Sequence, residues 1–403
     1  MTWILLWYLA QMFLPLGDYI IPITMVLVMG VYIYQGVYKK HLFTAVKSNA
    51  VLMAFILQGG IWCILSLRGL AGWFDLTREF GVNMSYLPRQ AYYLYFIPLL
   101  AFVPFFKADN AMEFVKEHRH DIMIAFYIIT IIRSGSAELT ISNMLVLCFL
   151  SLLCDGKVKA KDWVFMVAIM LLPMSGYGTS TIIILKVIYV GLFVVYNKLQ
   201  YKKLVAVLAS FTIPVILLGS FAVPQIPHIC DKIADVNARW RLEYWFDSAT
   251  AIVDSKGLGI GYGTAYASTT FAKGKQTSEY EQTCETCGNV TGFSQSPFDS
   301  NNDYTVEQRP YVVATHNSFV SVALRMGVLG LALFCGLLLT IWRRLTKSKC
   351  SDMGAMMFLF CGVLFTISLN VGLESPGYFG VFMVSMCLIS SYISQPKVEE
   401  KEQ

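Results

Sequence analysis

Leu204-Val-Ala-Val-Leu-Ala-Ser-Phe-Thr-Ile-Pro-Val-Ile-Leu-Leu-Gly-Ser-Phe-Ala-Val223 carries no charged side chain. An α-helix needs about 20 predominantly apolar residues to cross the hydrocarbon core of a bilayer, so this stretch reads as a membrane span. Similar runs lie on both sides of it, near residues 2 to 16, 19 to 38, 50 to 68, 90 to 106, 121 to 133, 140 to 154, 163 to 176, 179 to 196, 319 to 342, 353 to 370 and 378 to 394. With Leu204 to Val223 they make about twelve spans, an all-α polytopic membrane protein. The composition agrees: 56% of the 403 residues are hydrophobic, 14% are charged, and the mean hydropathy is +0.58. A soluble chain carries roughly 25% charged residues. The net charge of +5 is small and dispersed, which excludes a nucleic-acid partner as the reading.

Orientation follows from where Lys and Arg fall, because short cytoplasmic loops carry the excess of both. With the N-terminus inside, the inner loops hold Lys39, Lys40 and Lys47; Lys107, Lys116 and Arg119; Lys157, Lys159 and Lys161; Lys198, Lys202 and Lys203; and Arg343, Arg344, Lys347 and Lys349. The short outer loops hold only Arg68, Arg78, Arg89 and Arg133. The expected organisation is a membrane domain of nine spans over 1–223, a long outer loop over 224–318, three further spans over 319–394, and a cytoplasmic tail over 395–403. Both termini are then cytoplasmic. The first apolar stretch has neither a basic leader nor a small-residue cleavage site, so no cleavable signal is expected.

A connection as long as 224–318 is usually functional or disordered. Within it, Ile233, Val236, Trp240, Tyr244 and Ile252 fall at helical steps, which predicts an amphipathic helix over Asp231 to Val253. Gly257, Gly259, Gly261 and Gly263 follow as a helix stop and chain reversal, where glycine supplies positive φ. They do not form a phosphate loop, since no Lys followed by Ser or Thr closes the run. Cys284 and Cys287 make a lone CxxC that reads as a disulfide in an oxidising compartment, with free thiols or a metal pair as alternatives. There is no HExxH and no GxSxG, so neither a zinc hydrolase nor a nucleophile elbow is read.

The informative polar residues are few. Arg239 and Arg241 sit on the loop helix beside Trp240 and Trp245, an arrangement that suits either a polyanionic or sugar-bearing ligand or lipid phosphates at a headgroup surface. Arg133 closes one span, Lys186 lies about seven residues into another, and Arg325 stands near the start of a third. Ionisable residues within spans are functional candidates, because hydrocarbon penalises them. His316, where the long loop returns to the membrane, can accept a proton near its ordinary pKa of about 6.5.

Two separated stretches together resemble the O-antigen polymerase and O-antigen ligase superfamily. Arg241-Leu-Glu-Tyr-Trp245 with the Gly259-Ile-Gly261-Tyr-Gly263 turn is similar to its R-x-x-x-W…G-x-G segment, and His316-Asn-Ser-Phe…Gly327-Val-Leu-Gly330-Leu331 to its H-N-x-x…G-x-x-G-L segment. The motif-bearing part covers residues 220 to 343, about a third of the chain. Glu374 resembles an acidic position near the last two spans. Two positions depart from the pattern: Arg325 stands where members often carry an acid, and Ser175-Gly176-Tyr177 where many have Ser-Arg.

The resemblance implies a GT-C-like, metal-independent glycosyltransferase with no cofactor, acting on undecaprenyl-pyrophosphate-linked oligosaccharide at the outer face of a bacterial inner membrane. It implies His316 as general base on the acceptor hydroxyl, or as the group that orients it, and Arg241, with Arg239, on the donor pyrophosphate. Trp245, Asn317 and Glu374 join the substrate-binding set, and Lys186 or Arg133 would complete the phosphate clamp. A repeat-unit polymerase is the favoured activity, and a chain-length regulator is an expected partner. A ligase acting on lipid A core is the first alternative. A polysaccharide-lipid transporter, motivated by Lys186, Arg133 and Arg325, is the second.

Overall fold

The computed structural model describes residues 115–132, 137–153, 160–172, 179–196, 210–229, 232–233, 236–261, 315–347, 352–370 and 372–373, with scattered positions in 50–61 and 382–392. The expected spans near 2 to 16, 19 to 38 and 90 to 106 lie outside them, as do Arg133, Glu374, the side chain of Arg239, Cys284 and Cys287.

Among the described residues the secondary structure is entirely helical. In chain order α1 is Arg119–Ile132, α2 Ala137–Leu152, α3 Ala160–Leu171 and α4 Thr179–Tyr196. Next come α5 Thr212–Leu217, α6 Val236–Asp254, α7 Ser318–Lys347 and α8 Met353–Leu369. These segments form because long apolar runs bounded by charged or glycine-rich stretches can satisfy their backbone only internally once they leave water. The core is a packed apolar cluster centred on α2, α4, α7 and α8, including Leu145, Leu185, Phe334 and Phe358. Gly362 of α8 admits the side chain of Leu145, which a Cβ there would meet at 2.5 Å.

The exterior is apolar too. Ile128 and Ile132 of α1, Val164 and Leu171 of α3, Val187 of α4, and Val328 and Leu329 of α7 are all exposed. A soluble surface rarely carries so much contiguous apolar area, and a hydrocarbon surround accounts for it. Among the described residues one helix, α7, is long and apolar enough to cross a membrane by length and composition.

Charges mark one end of this bundle. Arg119 donates to the Leu153 carbonyl at the end of α2 and pairs at 2.7 Å with buried Asp162 at the start of α3; Lys116 pairs at 2.5 Å with buried Asp352 ahead of α8. The opposite end of α8 meets the functional residues described below.

Two irregularities shape that end. The helix begun by α5 widens into a π-helical turn, Leu218–Ala222, and tightens into a 3-10 turn, Val223–Gln225, where Pro224 cannot extend an α-helical ladder. And α7 is broken at Gly327, whose φ of 73° and ψ of −175° lie far from helical values. The break removes helix partners from the carbonyls of Leu324, Arg325 and Met326 and from the Val328 amide. Ile260 N donates to Leu324 O at 2.7 Å and Gly261 N to Arg325 O at 3.0 Å, while Val328 N donates to Gly257 O at 2.9 Å. Gln58 Nε2 donates to Met326 O at 2.9 Å. The glycine turn of the loop and the glycines of α7 therefore close on one another.

The turn differs from the sequence expectation in one respect. α6 ends in a Schellman arrangement, with Gly257 N bonded to Ile252 O and Lys256 N to Val253 O, both at 2.8 Å. Lys256, at φ 56°, occupies the left-handed position first, ahead of the glycines. The glycines are needed for close approach instead. A Cβ on Gly259, at φ 80°, would stand 2.6 Å from Gly327 N and 2.7 Å from Leu324 O.

Gly259→Ala therefore forces both a left-handed alanine and a backbone clash, and should destabilise the protein by roughly 2 to 5 kcal/mol. Gly191→Ala in α4, where a Cβ meets nothing within 4 Å, is the matched control. Thermal unfolding in detergent should show a large drop in midpoint for the first and none for the second. Equal midpoints would contradict the interlock.

Candidate active site

Four pieces of chain converge at the N-terminus of α7. Asn317 is the helix cap: its Oδ1 accepts from Phe319 N at 3.0 Å and Val320 N at 3.2 Å, satisfying two amides that a helix start leaves without partners. Its Nδ2 donates to Ser220 Oγ in the π turn at 2.7 Å. Thr315 Oγ1 donates to Asn317 O at 2.9 Å and lies 2.8 Å from Ser321 Oγ. Leu373 N, beyond α8, donates to Ser318 Oγ at 3.0 Å. Every one of these polar residues is buried, so the helix start is a wired scaffold.

His316 stands inside that scaffold, 4% exposed, with φ at 53°. A left-handed backbone at a non-glycine residue costs of order 1 kcal/mol and persists only where the surroundings enforce it. Here the cap bonds of Asn317 and the paired hydroxyls of Thr315 and Ser321 enforce it. Burial first, and the Arg241 guanidinium second, hold the imidazole pKa well below its usual 6.5. The positive end of the long α7 acts in the same direction. The ring is thus neutral at physiological pH, the form of imidazole that can take up a proton.

Arg241 reaches this point from α6. Its Nη1 donates at 3.0 Å to the carbonyl of Leu369, the last residue of α8, where the negative end of the helix dipole favours a cation. α6 is seated by Trp245, whose indole nitrogen donates to Thr315 O at 2.7 Å and whose ring packs among Leu242 and Val320. Tyr244, Ala251 and Ile252 pack on Ala323 and Leu324 of α7. So α6 lies along the first half of α7, and Arg241 comes near enough to His316 for its charge to act on the ring.

The remaining sequence candidates fall as follows. Arg239 lies on α6, one residue before Trp240. Lys186 of α4 is buried and donates to Met170 O at 2.9 Å and Leu172 O at 3.0 Å. Its ammonium caps the C-terminus of α3, a structural use of a charge within the bundle. Arg325, given no role from sequence, is fully buried and donates to Gly261 O at 3.2 Å. Three residues were missed: Gln58, Ser220 and Thr315. Gln58 could have been found, as a lone amide in an apolar run; Ser220 and Thr315 carry no local pattern. Among the described residues, no three His, Cys, Asp or Glu side chains gather in a geometry that could hold a metal ion.

A buried neutral imidazole and a fixed guanidinium, set at a helix N-terminus in an apolar-surfaced helical bundle, define a membrane protein that can handle an anionic group beside a hydroxyl. The chain belongs to the O-antigen ligase family, whose model matches residues 122–335, more than half of its length and inclusive of Arg241 and His316. Membership gives polysaccharide biosynthesis at a membrane as the area of function, glycosyl transfer as the chemistry, and a lipid-linked oligosaccharide as the substrate class. Comparison with curated proteins gives no match.

Proposed function

We propose that the protein is a repeat-unit polymerase of the bacterial inner membrane, which moves a growing polysaccharide from undecaprenyl pyrophosphate to a sugar hydroxyl of the next lipid-linked repeat at the periplasmic face. The observation that carries this reading is the juxtaposition of buried, neutral His316 with Arg241 at the start of α7. His316 takes the proton of the acceptor hydroxyl as its oxygen bonds to the anomeric carbon. The bond from that carbon to the pyrophosphate breaks, and the electron pair leaves on the pyrophosphate oxygen. Arg241, supported by Arg239 and by the positive end of the α7 dipole, stabilises that developing charge. With guanidinium and helix dipole in this role, no divalent ion is required. Twelve spans, with 224–318 outside and both termini cytoplasmic, put the site at headgroup depth, where the lipid-linked pyrophosphate lies.

The polymerase is favoured over the ligase on acceptor chemistry. The loop between 268 and 303 is rich in Ser, Thr, Gly, Gln and Asn, and the whole of 224–318 has eleven acidic against seven basic residues. That suits a neutral hydroxylated sugar better than a phosphorylated core, which favours a basic surface. The Ser175-Gly176-Tyr177 departure also fits a divergent member, as enzymes joining varied repeat units must be. The matched family's description, O-antigen ligase, keeps the second reading in the test. A deletion strain should display lipid A core capped by a single repeat. Uncapped core, with long chains retained on undecaprenyl pyrophosphate, would instead assign the ligase.

A further inference from the structure

We infer that Gln58, outside both motif segments, is a positioning residue of the transfer site, acting through the break in α7. The inference rests on the reading of His316 and Arg241 as the reacting pair.

The break at Gly327 strips three consecutive carbonyls of their helix partners. Two of them, Leu324 and Arg325, are answered by backbone amides of the glycine turn. The third, Met326, is answered by the Gln58 side chain at 2.9 Å, from a segment 268 residues away in sequence. The helical positions described between 50 and 61 lie along the second half of α7: a Cβ on Gly336 would come 3.2 Å from Val51 Cγ1, and one on Gly330 3.2 Å from Gln58 Nε2. Gly330 thus leaves the space into which the Gln58 amide fits. Gln58 is 9% exposed. A buried carbonyl left without a donor bears its full desolvation penalty, so losing this one bond biases α7 toward another bend at Gly327.

That bend sets where His316 stands. The half-helix from Ser318 to Met326 is a lever of roughly 14 Å at 1.5 Å per residue, so a 10° change at the break moves His316 by roughly 2 Å. Misplacement of a reacting group by about 1 Å can cost 100-fold in rate. Arg241 is held at two points: α6 packs along this same half of α7, while its guanidinium is bonded to Leu369 O at the end of α8. A change of bend moves the first anchor against the second and so disturbs the alignment of the pair. An amide meets the local requirement: it donates to Met326 O without bringing a charge into the apolar interior, whereas an ionised Glu donates nothing and Leu cannot donate at all.

The test uses full-length protein in nanodiscs with native lipid-linked repeats extracted from the deletion strain. Gln58→Leu keeps the volume and removes the donor; Gln58→Asn keeps the amide and shortens its reach, and serves should the first fail to fold. Each should lower kcat at least tenfold while the KM for acceptor shifts less than threefold. Hydrogen exchange of the Ile260, Gly261 and Val328 amides should accelerate by at least tenfold, a readout that needs no activity. Wild-type kcat, or unchanged exchange at those amides, in a monodisperse variant would overturn the inference. His316→Ala and Arg241→Ala measured alongside separate the two ideas: if both retain activity, the site reading fails, and the exchange data still judge the Gln58 bond.

Discussion

His316→Ala should lower transfer of lipid-linked repeats by about 1,000-fold, within the 10²- to 10⁴-fold range that a positioned general base supplies, while the protein still inserts and elutes as a single species. The basis is that a 4%-exposed imidazole, held at φ 53° by the cap of α7, has little structural reason to be titratable there. Folding even works against its ionisation. Because the folded pKa is depressed below the unfolded value of about 6.5, the unfolded chain takes up the proton first as pH falls. The stability this group contributes is present above about pH 6.5 and is lost progressively below it, down through the lowered folded value. Activity should follow the folded pKa instead: the rate stays level through pH 6.5 and falls only well beneath it. Transfer by His316→Ala at the wild-type rate would remove the base assignment, and an acid limb centred on 6.5 would remove the electrostatic account of the ring.

Arg241→Ala should cost about 100- to 1,000-fold, the scale seen when one donor is removed from a developing anion. Arg241→Lys should recover little of that, because an ammonium cannot hold Leu369 O and phosphate oxygens with one planar fork. The guanidinium is also the second cause of the low His316 pKa. Its removal should therefore move the acid limb of the residual activity upward in pH, though not as far as 6.5, since burial is the larger cause and remains. A limb that stays put in Arg241→Ala would mean the two side chains are not electrically coupled. Full activity in Arg241→Lys would reduce the role of Arg241 to that of a point charge.

Much of the helical layout was legible because hydrocarbon makes apolar runs into helices with few exceptions. The run expected over 179 to 196 is Thr179–Tyr196, that over 353 to 370 is Met353–Leu369, and the amphipathic loop helix expected over Asp231 to Val253 is Val236–Asp254. Departures from regular helix were not legible. Leu204 to Val223 read as one uniform span, yet its end is a π turn followed by a 3-10 turn. No hydropathy pattern encodes that, because the widening is set by the partner it serves, the Asn317 amide on Ser220. The candidate site residues stand out in the sequence by type, but their local bonding does not. Asn317, expected to bind substrate, spends its amide on the helix start, and Trp245, expected to touch sugar or lipid, is buried on Thr315. Lys186 read as a possible phosphate ligand because a charge in a span is conspicuous, and the α3 C-terminus it satisfies is invisible in the local sequence.

Consider, finally, the two ends of residues 262–314. Gly261 is bonded to Arg325, and Thr315 receives the Trp245 indole and pairs with Ser321, so the chain leaves and re-enters α6 and α7 through a closed clasp. With departure and return already fastened, the entropic cost of the intervening segment grows only with the logarithm of its length, about 0.6 kcal/mol per doubling. Evolution can then rewrite that segment, in length and in composition, as an exchangeable cassette without disturbing the imidazole and guanidinium. Relatives joining different glycans should accordingly diverge most between these two fastenings and least in the glycines and hydroxyls that form them.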